Sequence, residues 1–394
     1  MKRPILKLRQ ECFGGTLFAP HTGLRTYLDQ LEFETVARRN DPVAEELLLK
    51  LGMGGELHIT YPEWLPNDNF SAPDVVFFEI TRACNLRCAH CFNSSGIKLV
   101  DEASLKERLK IIQDLIACGV QEIRFTGGEP TLSADLEDLM IFASESHLRI
   151  SLGTNGILTK GLRMERISKL LHLAIVSIDG TKKVHDKIRG QGSFDRAMEG
   201  IHALQSYGIS VRINAVVMRS NMDDIITLTE YLHGLGVAVF IRRFIPSGRS
   251  AYDVSEILTK KDYMKLESEL SYYLSDSRGL IHGHYFREKI IETRVVLPFT
   301  RHSCSAGHRG LVILPNGKVQ TCGFLGPLGE ANVGNLLQEK FTIIWKRLVK
   351  SDHISALRRN LPIHNASTNG PCTNCLAIAL VKQESTNAQE RDAL

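Results

Sequence analysis

Three cysteines stand within eight positions, as Cys84-x3-Cys88-x2-Cys91, directly after the apolar run 75–80. Thiolates are soft ligands, and three in one loop can hold three corners of an iron–sulfur cubane while its fourth iron stays open to a bound molecule. Such a centre carries electrons and can also do chemistry on what it binds. A structural zinc ion, with His90 as fourth ligand, is the alternative that the triplet alone leaves open. Four further cysteines come late, Cys304, Cys322 and the pair Cys372-x2-Cys375. Four thiolates suffice for one complete [4Fe–4S] cluster, or for a zinc ion that folds a small domain. Of the remaining two, Cys12 and Cys118, the latter continues the apolar face of a helix and reads as core.

The elements that must position these ligands follow from periodicity. Strand-like runs occur at 75–80, 122–126, 149–153, 174–178, 211–217 and 237–242, separated by amphipathic segments such as 105–118, where Leu105, Leu109, Ile112 and Leu115 recur at helical spacing. Six strand–helix units in succession imply an α/β fold with a parallel sheet, curved into a partial (β/α)6 barrel, and ligand residues just after the strands. Before it, residues 1–70 give short strands at 5–8, 15–18 and 24–28, then helices at 31–37 and 42–51, with a Pro- and Asn-rich linker at 62–69. After it, a helix is expected over 257–275, a hairpin around Pro315-Asn316-Gly317, a helix over 341–349 and a polar tail after Lys382. The expected domains are 1–70, a barrel over 71–280, a cysteine-bearing extension over 281–380, and the tail.

Of the 394 residues 43% are hydrophobic and 23% charged, as in a soluble globular protein. No signal peptide or membrane-length apolar run is evident, and nine cysteines without an export signal point to reduced thiolates in the cytoplasm. The formal net charge of +4 is small for this length. Lys and Arg are scattered and read as a solvated surface, so neither nucleic acid nor a membrane is expected as partner.

Further motifs follow the strands in order. Gly127-Gly128-Glu129-Pro130 comes after the second, where glycines permit close backbone approach and a carboxylate or carbonyl can accept hydrogen bonds from a protonated amine. Thr154-Asn155-Gly156 closes the third, Ser177-Ile178-Asp179-Gly180 the fourth, and His185-Asp186-x2-Arg189-Gly190 comes next. Arg189 is suited to gripping a carboxylate, Asn214 lies on the fifth strand, and helix caps and surface pairs are the plain alternative for Asp179 and Arg189.

In this order the motifs resemble those of the radical S-adenosylmethionine (SAM) superfamily, over roughly residues 74–376. The resemblance implies that Cys84, Cys88 and Cys91 bind a [4Fe–4S] cluster whose open iron is chelated by SAM. Reduction then yields a 5′-deoxyadenosyl radical that abstracts a hydrogen atom from substrate. It further implies that His90 packs near the adenine and that Gly127, Gly128 and Glu129 serve the methionyl amine; Thr154 and Asn155, by their place at a strand end, would line the barrel's mouth, and Asn214 on the fifth strand is a candidate for the same site. Ser177, Asp179 and Arg189 match positions that hold the ribose and carboxylate in peptide-modifying members. The late cysteines, with Val333-Gly334-Asn335 and Trp345, resemble the SPASM or shorter twitch extension, implying one auxiliary [4Fe–4S] cluster, since no cysteine follows Cys375. Leu8 to Gly15 and the following hairpin resemble the winged-helix-like modules that recognise leader peptides.

The expectation is therefore a radical SAM maturase of a ribosomally synthesised (RiPP) precursor peptide. It would carry out cross-linking, epimerisation, decarboxylation or backbone excision, with a flavodoxin- or ferredoxin-type reductant. A separate peptide-recognition protein is a partner such an enzyme can use. The alternatives are radical dehydrogenation of a small molecule and a non-catalytic zinc-stabilised adaptor.

Overall fold

The computed structural model describes residues 4–38, 41–67, 69–251, 253–274, 281–283 (backbone only), 306–326 and 332–351. The N-terminal module begins with three antiparallel strands, β1 (Ile5–Glu11), β2 (Gly14–Ala19) and β3 (Leu24–Asp29). Two helices follow, α1 (Gln30–Ala37) and α2 (Pro42–Lys50). Asp29 and Glu32 form a reciprocal capping box on α1, and Asp41 with Pro42 starts α2, so both helix starts are local in origin. A fourth strand, β4 (Glu56–Thr60), returns parallel to β1 and completes the order β3-β2-β1-β4. The sequence pattern does not announce β4, because all five of its residues are at least partly exposed and its partner lies about fifty residues upstream. Leu6, Leu8, Leu17, Phe33 and Val36 form the module's core.

The barrel contains β5 (Val75–Glu79), α3 (Leu105–Ala117), β6 (Glu122–Thr126), α4 (Leu136–Glu145), β7 (Arg149–Thr154), α5 (Leu162–Ser168) and β8 (Leu173–Ser177). It continues with α6 (Lys182–Arg189), α7 (Ser193–Ser206), β9 (Val211–Val217), α8 (Met222–Gly234), β10 (Ala238–Arg243), α9 (Lys260–Leu274) and β11 (Ile281–Gly283). Strands β5 to β11 lie side by side in sequence order, all parallel, in an open sheet. Helix α9 starts three residues later than its apolar pattern suggests. Thr259 and Asp262 bond reciprocally, Thr259 N to Asp262 Oδ2 at 2.7 Å and Asp262 N to Thr259 Oγ1 at 3.3 Å, which fixes the helix start.

Alternation sorts the strand residues between two faces. Val76, Phe78, Ile123, Phe125, Ile213 and Ile241 join the helices in one large core. Their neighbours Phe77, Arg124, Arg212, Asn214, Phe240 and Arg242 occupy the other, concave face and are half-buried. The reading of arginine as solvated surface is therefore corrected. Arg9 and Arg108 are buried, while Arg124, Arg212 and Arg242 are spread over three strands and converge only when the sheet curves.

The C-terminal segment extends this sheet rather than forming a layer of its own. Strand β12 (Gly310–Ile313) pairs parallel with β5, and β13 (Lys318–Gln320) and β14 (Asn332–Asn335) follow antiparallel. The expected hairpin turn is present, with Gly317 at φ +79°. Helix α10 (Phe341–Val349) is held by Trp345, whose Nε1–H donates to the Phe70 carbonyl at 3.0 Å. Cys304, Cys372, Cys375 and the tail after Lys382 lie outside the described residues. No helix among the described residues is long and apolar enough to cross a membrane.

Candidate active site

The cysteine loop leaves the carboxyl end of β5, while the N-terminal module contacts the opposite end, where Arg9 reaches the carbonyls of Pro73 and Gly119. The thiols of Cys84, Cys88 and Cys91 border one small cluster completed by Leu86 and Ile157, and none is in a disulfide. Burial pushes the Cys84 thiol up to about 11 and also raises that of Cys88. A metal centre bound here must therefore displace protons. Cys91 Sγ donates to Asn93 Oδ1 at 3.1 Å, and Asn93 Nδ2 reaches the Gly127 carbonyl at 3.2 Å, tying the loop to the next motif.

That motif packs directly on the loop. A Cβ on Gly127 would lie 2.3 Å from the Thr81 carbonyl oxygen, and one on Gly128 would lie 2.2 Å from that of Ala83. The glycines are thus required by the approach of the cysteine loop's own backbone. Gly128 N–H donates to Thr81 O at 2.7 Å and Glu129 N–H to Ala83 O at 2.8 Å. The buried Glu129 carboxylate accepts from Thr131 N, Thr131 Oγ1, Thr154 Oγ1 and Asn155 N, at 2.6–3.1 Å. It pins the end of β6 to the end of β7. Asn155 Nδ2 then donates to Asn85 Oδ1 at 2.7 Å, so the third motif also grips the cysteine loop.

A buried charge centre adjoins Cys88. Arg189 Nε lies 2.5 Å and His90 Nε2 2.9 Å from Asp179 Oδ2, and Asp179 Oδ1 accepts from Val216 N at 2.8 Å. Burial alone would raise the Asp179 carboxyl, but Arg189 and His90 outweigh it and hold the group well below the usual carboxylate range. Arg189 Nη1 is 3.9 Å from Cys88 Sγ. The helix carrying Arg189 therefore connects the cysteine loop to the end of β8. His185 Nδ1 accepts from Asp179 N at 3.2 Å, and burial lowers His185 to about 4, keeping it neutral. Ser177 is half-buried at the end of β8, and Asn214 Oδ1 on β9 is a buried atom with no hydrogen-bond partner among the described residues.

Sequence reasoning missed Ser247, Gly248 and Arg249, which follow β10 without a recognisable motif. Arg249 donates to the Cys88 carbonyl and, at 2.7 Å, to that of Ser95, and its N–H bonds to Cys91 O at 3.0 Å. Ser247 Oγ reaches Phe92 O at 3.2 Å. Strands β5 and β10 thus lead into the same loop cluster. The only signal was position, a small residue pair and an arginine just beyond a strand's carboxyl end. Cys322 packs beside Met218, Phe244 and Val216 at the ends of β9 and β10.

The chemistry of the donor set suits an iron–sulfur cluster: three unbridged thiols converge on one small apolar cluster with Arg189 beside them. Among the described residues no three His, Cys, Asp or Glu side chains are close enough to share one metal ion, and a cubane spreads its cysteine ligands wider than a tetrahedral ion does. His90 is turned to Asp179 rather than to the thiols.

Comparison with known proteins agrees with this geometry. Residues 78–232 match the radical SAM superfamily and residues 304–376 match an iron–sulfur cluster-binding domain, SPASM. The AdoMet-dependent heme synthase of Oleidesulfovibrio alaskensis is 30% identical over 76% of this chain and 81% of its own length. The mycofactocin maturase MftC of Mycolicibacterium smegmatis is 29% identical over 77% of this chain and 76% of its own. Among solved structures, Streptococcus suis SuiB bound to precursor peptide SuiA superposes with a TM-score of 0.70 at 18% identity, covering 95% of this chain and 94% of that one. The protein is an enzyme of the radical SAM superfamily with a C-terminal SPASM domain, and SAM and iron–sulfur clusters are its cofactors.

Proposed function

We propose that this enzyme modifies a ribosomally synthesised precursor peptide in the cytoplasm, by hydrogen abstraction with a 5′-deoxyadenosyl radical. The observation that carries this reading is the joint presence of a radical SAM barrel, a SPASM match and an N-terminal four-stranded module, with likeness to SuiB along 95% of the chain. A pocket between α1 and the residue after β4, lined by Phe33, Glu34, Ala37, Arg38 and Tyr61, supports a peptide-docking role for that module.

When bound, SAM and the first cluster supply the radical, and the residues divide the remaining work. Cys84, Cys88 and Cys91 hold the cluster. The Gly127–Gly128 backbone would serve the methionyl amine, with Glu129 keeping the strand ends in place. Ser177, Asp179 and Arg189 hold the ribose and carboxylate, Arg189 being oriented by Asp179, while Thr154, Asn155, Asn214 and His90 complete the mouth. Cys304, Cys322, Cys372 and Cys375 would hold one auxiliary [4Fe–4S] cluster, which would supply a place for the surplus electron. A flavodoxin- or ferredoxin-type protein reduces the first cluster.

The test is to incubate anaerobically reconstituted enzyme, SAM and reductant with a small peptide encoded beside its gene. A mass change in the peptide is expected, and Cys88→Ala should abolish both that change and 5′-deoxyadenosine. Cys372→Ala should spare cofactor cleavage and lose product. Cleavage retained in Cys88→Ala would sink the cluster assignment. A second reading, radical modification of a small molecule, is favoured by the similarity to AdoMet-dependent heme synthase; it predicts that no such peptide forms a complex.

A further inference from the structure

Among the described residues, the concave face of the barrel carries more arginines than carboxylates. Among the described residues, the strand carboxylates Glu122 and Glu79 are already engaged. Glu122 accepts from Arg124 Nη2 at 3.1 Å and from Ser151 Oγ at 2.8 Å, and Glu79 faces Arg82 at 3.0 Å. Arg212 and Arg242 have no hydrogen-bonded or ion-paired partner among the described residues, and the buried Nε atoms of Arg124, Arg212 and Arg242 are all unsatisfied. Both unpaired guanidiniums stand over one ring, that of Phe240, at 5.3 and 5.4 Å, while Arg124 stands 4.8 Å over Phe77.

This placement is costly for the fold alone. Burial, with the neighbouring arginines, lowers Arg212 to about 9 and Arg242 to about 10. Guanidiniums on an aromatic ring are held in fixed planes, and their forked donors match carboxylates two bonds at a time. Two guanidiniums in a partly desolvated cavity, with no hydrogen-bonded counter-ion among the described residues and only the longer-range pull of Glu122 on Arg212, call for negative charge from outside. Glu79, which ends the same strand that leads to the cysteine loop, puts this face next to where the radical is made.

We propose that Arg212 and Arg242, with Arg124, form a carboxylate-binding site inside the barrel that takes a substrate carrying at least two carboxylates near its reacting carbon. The proposal deepens the reading above and rests on it only in placing substrate inside the barrel. In a precursor peptide the carboxylates are acidic side chains flanking the modified residue; in a small molecule they are its own acid arms.

The experiment measures binding to reconstituted holoenzyme of three probes: a decapeptide with two adjacent glutamates, its glutamine counterpart, and tricarballylate. The glutamate peptide should bind at least about tenfold more tightly than the glutamine one, as loss of charged hydrogen bonds implies. Arg212→Met and Arg242→Met should erase that preference, and Arg212→Lys should restore part of it. Because a structural arginine would lower the melting temperature when removed, Arg212→Met should leave it unchanged or raise it. Tricarballylate binding that depends on the arginines, without any glutamate preference, would uphold the site and move the substrate to small polycarboxylates, against the peptide reading. Equal binding of both peptides with no arginine-dependent tricarballylate binding overturns the proposal, as does a glutamate preference that survives both methionine variants.

Discussion

Arg9, beneath the barrel, and Arg212, inside it, are the same residue type in opposite circumstances. Arg9 donates from Nε to Glu11 at 2.6 Å, from Nη2 to Asp74 at 3.1 Å, and from Nη1 to two carbonyls. Asp74 in turn meets Arg25 at 3.7 Å and Arg309 at 3.2 Å, so one carboxylate joins the N-terminal module, the barrel and the C-terminal segment. The two carboxylates beside Arg9 outweigh its burial and raise its pKa. Burial and neighbouring arginines lower that of Arg212. Arg9 holds the fold together with its counter-charges beside it; Arg212 has no such partner within hydrogen-bond reach among the described residues.

Substitution should separate the two most sharply at Arg9. Arg9→Met strands Glu11 without its cation and takes one of three arginines from Asp74, and a loss of roughly 3–5 kcal/mol is expected by chemical denaturation of the reconstituted protein. A loss under about 1 kcal/mol would erase the distinction between the sites. A smaller effect comes from acid. His172 is lowered to about 4 by burial and by Arg149 on the barrel side, and its Nδ1 accepts from Ile150 N at 3.2 Å. Its folded value lies below the ordinary 6.5, so the stability it contributes is full above pH 6.5 and is lost as pH falls toward 4. His172→Gln should flatten the melting profile across that window, whereas an unchanged slope would mean the local positive field is not felt. Trp345→Phe keeps a ring but removes the Nε1–H that donates to the Phe70 carbonyl, for a loss of about 1 kcal/mol on the compensated side. Smallest should be Arg212→Met, with a change in stability between zero and a slight gain.

How legible each part was follows from how local its causes are. Strands β6 and β9 and helix α10 occupy the residue ranges that the apolar patterns mark, because each packs one periodic face into a single core. The order of motifs after successive strands was equally legible, since a parallel sheet puts all carboxyl ends on one side. Strand β12 joining β5 was not, because Gly310 pairs with Val75 across most of the chain. Arg249 carried no motif, and its role comes from the curl that brings the end of β10 to the cysteine loop. Nor could composition reveal the arginine site, for Arg124, Arg212 and Arg242 lie far from one another in sequence and meet only across the curved sheet. The glycines of the 127–130 motif illustrate an intermediate case. Their presence was readable, whereas the surface they press against, the backbone of Thr81 and Ala83, emerged only from the fold.

The most direct test of the whole account follows the hydrogen atom. Reconstituted enzyme, unlabelled SAM and reductant are incubated with the uniformly deuterated precursor peptide, and 5′-deoxyadenosine is analysed by mass spectrometry. The account predicts deuterium in the 5′-deoxyadenosine, in step with the peptide's change of mass. Unlabelled 5′-deoxyadenosine beside an unaltered peptide would contradict it.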